Sequence, residues 1–76
     1  ESVYRELALF KIKSNEESVS TEISKLADTY GAKIHNGPEG SLIAELTSTP
    51  DKIKEFEESI KPFGILDSAR TGVTAL

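Results

Sequence analysis

Ala32-Lys33-Ile34-His35-Asn36-Gly37-Pro38-Glu39-Gly40-Ser41-Leu42-Ile43-Ala44-Glu45-Leu46-Thr47 occupies the middle of this 76-residue chain, and its reading decides the fold. Proline fixes its own φ and donates no backbone hydrogen bond, while glycine turns the chain where a side chain would obstruct. Gly37-Pro38-Glu39-Gly40 therefore reads as a turn. A short strand over 32–36 precedes it and a longer strand over 41–47 follows. In the longer strand Leu42, Ala44 and Leu46 share one face, with Ile43 and Glu45 on the other.

Outward from this centre, both flanks follow one plan. Upstream, residues 6–13 alternate as a strand, with Ala8, Phe10 and Ile12 on one face and Leu7, Leu9 and Lys11 on the other. Both faces are partly apolar, which suits a central strand. Ser14 with Glu17 three residues later has the form of a capping box and opens a helix over about 15–30. Val19, Ile23, Leu26, Ala27 and Tyr30 form its single apolar stripe, and Gly31 sits where a left-handed C-terminal cap is needed. Downstream, Thr49 as N-cap, Pro50 at the first helical position and Asp51 in the first turn begin a second helix. It turns Ile53, Phe56 and Ile60 inward and its Lys and Glu residues outward. Pro62 stops it, Phe63-Gly64 makes a corner, and a last strand over about 65–71 ends at Gly72.

The order is strand, helix, strand, strand, helix, strand. Right-handed crossovers place both helices on one face of a four-stranded antiparallel sheet, an α+β, ferredoxin-like (ACT-like) β-α-β-β-α-β sandwich. The other face then has no helix to cover it. Leu7 and Leu9 from the first strand and Ile43 from the third point there, where solvent-facing positions are normally polar. The patch reads as a surface for a partner; a scatter of ordinary exposed aliphatic residues is the other reading.

Composition narrows the function by exclusion. A single domain this short buries only about 60% of the surface its unfolded chain exposes. It has no cysteine to add a disulfide or thiolate ligand. Such a core often gains stability from a neighbour. Nine Lys and Arg against thirteen Asp and Glu give a net charge of −4, which opposes generic binding to nucleic acid or an anionic membrane. No apolar run approaches the roughly 20 residues of a membrane span, and no signal peptide is visible. The chain begins at Glu1 and contains no methionine, so it is expected to be one domain of a longer protein.

No constellation for catalysis is present. His35 is the single histidine, on a short edge strand, and a transition-metal site would need ligands from elsewhere. Glu16-Glu17 and the Glu55, Glu57 and Glu58 cluster fall on helix exteriors. There Lys54 with Glu58 and Glu57 with Lys61 stand four residues apart, as ordinary surface pairs do. The glycine-rich turn joins two strands, whereas a phosphate cradle lies between a strand and a helix N-terminus. RNA-binding relatives of this fold stack bases on aromatic residues of the central strands. Here Phe10 is the single aromatic in those two strands, on the core face. Amino-acid-sensing ACT domains bind their ligand where the first strand meets the first helix, usually beside a glycine. Here that junction is Lys13-Ser14-Asn15-Glu16, without glycine and with Glu17 directly following.

Several segments resemble one family. These are Arg5-Glu6-Leu7-Ala8-Leu9-Phe10-Lys11-Ile12, Leu46-Thr47 leading into Asp51-Lys52-Ile53, Lys61-Pro62-Phe63-Gly64-Ile65, and Ala69-Arg70-Thr71-Gly72 running on to Ala75-Leu76. They resemble the C-terminal domain of the small, regulatory subunit of acetohydroxyacid synthase (acetolactate synthase), over nearly the whole chain. The resemblance implies a non-catalytic domain that activates and regulates a catalytic subunit of branched-chain amino-acid biosynthesis. It implies that the valine-binding ACT domain lies outside this chain. Thiamine diphosphate, magnesium and FAD are then the catalytic partner's cofactors, with none in this chain. Its expected setting is the cytoplasm, or a plastid or mitochondrion in a eukaryote, and self-association is expected. Leu7, Leu9, Ile43 and Arg70 are the candidate partner contacts. Arg70 could anchor a partner's carboxylate or neutralise one within its own domain. A free-standing amino-acid sensor with its ligand at a dimer interface is the alternative function.

Overall fold

Strands and helices follow one another as β1 (Val3–Lys13), α1 (Glu17–Tyr30), β2 (Lys33–Asn36), β3 (Ser41–Ser48), α2 (Pro50–Ile60) and β4 (Ile65–Ala75). The computed structural model describes residues 3–14 and 16–75, and the side chains of residues 5–14 and 16–71. Asn15 of the first loop and Leu76, the end of the family-like stretch, lie outside the described residues. The strands form one antiparallel sheet in the order β2-β3-β1-β4. This is the ferredoxin-like topology that the chain order dictates.

Strand periodicity selects the core. Ala8, Phe10 and Ile12 of β1 and Leu42, Ala44 and Leu46 of β3 alternate onto one face and are buried. Ile23 of α1 and Ile53, Phe56 and Ile60 of α2 join the same cluster, so both helices cover that face. The Phe56 ring lies 5.8 Å from Phe10 and 5.5 Å, edge-on, from Tyr30. Aromatic pairs prefer such tilted arrangements, which place ring edges against ring faces.

The element ends follow their own chemistry, with three corrections. Gly31 adopts φ 77° and its N–H meets the Ala27 carbonyl, closing α1 as expected. Thr49 Oγ1 accepts the Lys52 N–H at 3.4 Å, opening α2 as expected. The Ser14 capping box is not formed. α1 starts at Glu17, and Glu16, with extended backbone, is its N-cap without a side-chain cap bond. The last strand does not end at Gly72. Val3, Tyr4 and Arg5 of β1 supply partners for Ala75, Thr74 and Val73, so the ladder continues through the glycine. The anticipated four-residue ion pairs are replaced as well. Lys61 meets Glu58 one turn back at 3.0 Å, and Glu57 turns to Arg70.

Between β2 and β3, Pro38–Gly40 forms a tight turn in which Glu39 adopts the left-handed conformation, at φ 56°. Gly37 donates to the Ser41 carbonyl at 2.8 Å, and Ser41 Oγ donates to the Pro38 carbonyl at 2.7 Å, which accounts for that buried hydroxyl.

Candidate functional site

The face of the sheet away from the helices carries the candidate surface. Leu7, Leu9 and Ile43 all lie on it, as alternation requires. Leu9 stands between Glu45 of β3 and Ala69 of β4; Leu7 stands between Thr47 and Thr71; Ile43 stands between Lys11 and His35. Leu9, Lys11, Ile43, Asp67 and Ala69 line a shallow depression of about 230 Å³.

A further apolar residue, Leu66, lies at an irregularity that the periodicity did not show. The β1–β4 register pairs Lys11 with Asp67 but Ile12 with Ile65, leaving Leu66 as a bulged residue without an opposite number. Leu66 lines a second depression with Lys11 and Lys13 on the open face, and it is 55% exposed. With Leu9 at 37%, it is one of the two exposed large hydrophobic residues among those described. Both lie on the side without helices. Polar groups surround them: His35 Nε2 and Glu45 Oε1 are hydrogen-bonded at 3.0 Å, and Lys33 and Lys11 stand opposite Glu45 and Asp67. The face is therefore an apolar track within a charged border, a composition closer to a non-obligate interface than to a core.

Arg70 is placed elsewhere. Strict alternation from Ile65 would put it with Leu66, but the bulge shifts the parity and sets it opposite Ala8, on the helix-covered face. Its Nη1 lies 3.4 Å from Glu6 Oε1 and its Nη2 3.2 Å from Glu57 Oε1. The guanidinium thus joins β1 to α2 through two carboxylates of its own domain and sits apart from the leucines.

The β1–α1 junction, where ACT domains take their ligand, holds a small depression lined by Lys13, Glu16, Val19 and Phe63. The Glu16 carboxylate there opposes the carboxylate of an amino acid. Among the described residues, no group of three or more His, Cys, Asp or Glu side chains is placed to hold a metal ion. No helix among them is long and apolar enough to cross a membrane.

The family model for the small subunit of acetolactate synthase matches residues 5–76. The chain belongs to that family. It is 38% identical over 73 residues to the acetolactate synthase small subunit of Bacillus subtilis, covering 96% of this chain and 42% of that protein. It is 40% identical over 74 residues to acetolactate synthase small subunit 2, chloroplastic, of Arabidopsis thaliana, covering 97% of this chain and 15% of that protein. The crystal structure of the acetolactate synthase small subunit from Thermotoga maritima superposes with a TM-score of 0.81 at 28% identity, over 97% of this chain and 45% of that one. An acylphosphatase from Bacillus subtilis, at 15% identity and TM-score 0.61, shares the fold alone. The chain therefore spans less than half the length of these small subunits.

Proposed function

We propose that this chain is the C-terminal, non-catalytic domain of an acetolactate synthase small subunit, and that it regulates the catalytic subunit by contact through the open face of the sheet. The observation that carries the reading is the placement of Leu9 and Leu66 on the helix-free face of a domain whose family is a subunit. Exposed aliphatics gathered on one sheet face favour a protein partner over solvent. Contact of this kind changes activity only if it differs between the less active and more active states of the partner. In this reading thiamine diphosphate, magnesium and FAD reside in the catalytic subunit, and an amino-acid-binding ACT domain belongs to the remainder of the small subunit. The complex works in the cytoplasm, or in a plastid or mitochondrion of a eukaryote.

The test is acetolactate formation by the catalytic subunit with wild-type small subunit and with Leu9→Asp or Leu66→Asp variants. A several-fold loss of stimulation, with the fold intact by circular dichroism, is expected. Unchanged stimulation would overturn the assignment of the face. Tight valine binding to this 76-residue chain in calorimetry would instead favour a free-standing sensor.

A further inference from the structure

Charge is divided unevenly between the two sides of the sheet. Along β1 the open side presents Arg5, Leu7, Leu9, Lys11 and Lys13 in alternation, about 7 Å apart, so cations bracket the two leucines. Lys33 of β2 lies on the same side, opposite Glu45. The acidic sheet residues of this side are Glu45 and Asp67. Four cations against two carboxylates leave the face at +2, while the other five cations and eleven acidic residues of the chain carry −6. Counting Glu39, which lines the Lys11–Lys13 end from the β2–β3 turn, leaves +1 against −5. Either way, a chain of net charge −4 has its positive pole on the side without helices.

The cations of the two sides are also engaged differently. On the helix side Lys25 meets Glu22, Lys61 meets Glu58, and Arg70 meets Glu6 and Glu57. Among the described residues, Lys11, Lys13 and Lys33 meet no carboxylate. Lys33 and Lys11 stand opposite Glu45 and Asp67, but both carboxylates are engaged elsewhere. Glu45 Oε1 is hydrogen-bonded to His35 Nε2 at 3.0 Å, and Asp67 Oδ1 accepts the Ser68 N–H at 2.8 Å. Ammonium groups without an internal partner keep their field for an external one, and apolar neighbours that exclude water strengthen it.

We infer, resting on the assignment of the open face to the catalytic subunit, that this face takes an acidic patch of that subunit. The patch presents apolar side chains to Leu7 and Leu9, between carboxylates that reach Lys11 and Lys13 at one end and Arg5 at the other. A nucleic acid fits the same face less well. The described residues of the face include no aromatic on which a base could stack. A polyanion running past its border also meets the acidic remainder of the chain, within a Debye length of about 8 Å at physiological salt. A local set of carboxylates is attracted without that penalty. Because the cations border the leucines, they act chiefly on the rate of encounter, while the apolar contact holds the complex.

Surface plasmon resonance of the intact small subunit on the catalytic subunit, at about 0.05–0.5 M salt, tests this. The association rate is expected to fall several-fold across that range. Lys11→Gln with Lys13→Gln should slow association at low salt by about three- to tenfold, flatten the salt dependence and leave dissociation nearly unchanged. Lys52→Gln with Lys54→Gln, at exposed positions of α2, should do none of this. Leu9→Ser alters no charge and separates the inference from the reading beneath it. Faster dissociation with Leu9→Ser, but unchanged association with the Lys11 and Lys13 variant, would overturn the acidic partner and leave the open face as the contact. No effect from either would overturn both. Wild-type association indifferent to salt would also overturn the inference, as would binding of single-stranded RNA that the Lys11 and Lys13 variant abolishes. The wild-type salt series decides the matter even if a variant fails to fold.

Discussion

β1 is one strand with two different surfaces. On the helix side Ala8, Phe10 and Ile12 are sealed from water; on the open side Leu7 is half-buried and Leu9 is exposed. Leu7 and Leu9 are no less apolar in kind than the residues of the helix side, so the difference lies in what covers them. Cavity formation in a close-packed region costs far more than trimming a side chain already in contact with water. Phe56→Ala, which removes the ring that α2 sets against Phe10 and Tyr30, should therefore cost about 3–5 kcal/mol. A chain of this length has a total stability of only about 4–11 kcal/mol, so that variant should be largely unfolded or close to it. Leu9→Ser should cost about 1 kcal/mol or less. Urea unfolding of the two variants measures the contrast, and comparable losses would mean that the open face is part of the core.

A similar contrast separates two glycines. Gly31 has φ +77° and open space around a would-be Cβ, so conformation alone selects glycine there. Gly37 has an ordinary φ of −102°, but a Cβ would collide with Ser41 Oγ and press on Ile43 Cγ1. Space selects glycine at that site. Gly37→Ala should cost about 1–3 kcal/mol through overpacking of the β2–β3 turn. Adding Ser41→Ala should recover part of the loss, because the colliding hydroxyl is gone. Additive losses in the double variant would show that the collision is not what makes Gly37 necessary.

Most of the fold was legible because its signals are local. The alternation of residues 6–13 and 41–47, the stripe from Val19 to Tyr30, the Thr49-Pro50 start and the Gly31 stop each depend on residues within a turn or two of one another. The misread features depend on a partner strand. Nothing in Ile65-Leu66-Asp67 marks a bulge, since it exists only as an offset in the β1–β4 register. Gly72 resembles a strand end until the residues of β1 opposite it are known. The candidate surface was legible in the same proportion. Leu7, Leu9 and Ile43 followed from alternation, whereas Arg70 came to the helix-covered face through that single extra residue.

Arg70 tests how far the two faces are separate. Bound to Glu6 and Glu57 and 40% exposed at its side chain, it holds two partly screened ion pairs. Arg70→Met should cost about 1 kcal/mol or less, and the cost should fall as salt is added. Because Arg70 is on the helix side, the variant should stimulate the catalytic subunit as the wild type does. Loss of stimulation at unchanged stability would make Arg70 a partner anchor and extend the interface around the edge of the sheet.

The smallest effect belongs to Lys61, at the exposed end of α2. The hydrogen bond from its Nζ to Glu58 at 3.0 Å, followed by the attraction of that carboxylate, raises its pKa above the ordinary 10.5. A pKa raised by folding means that the folded chain holds the proton more tightly than the unfolded one. The resulting stabilisation is complete below pH 10.5 and is lost as pH rises through the higher folded value. The side chain is exposed, so salt should weaken the effect as well. Wild type and Lys61→Met should therefore differ slightly in urea midpoint at neutral pH and low salt, and converge both once the pH has passed the raised folded value and at high salt. A gap that persists under both conditions would assign the contribution of Lys61 to packing of its methylene chain and not to its charge.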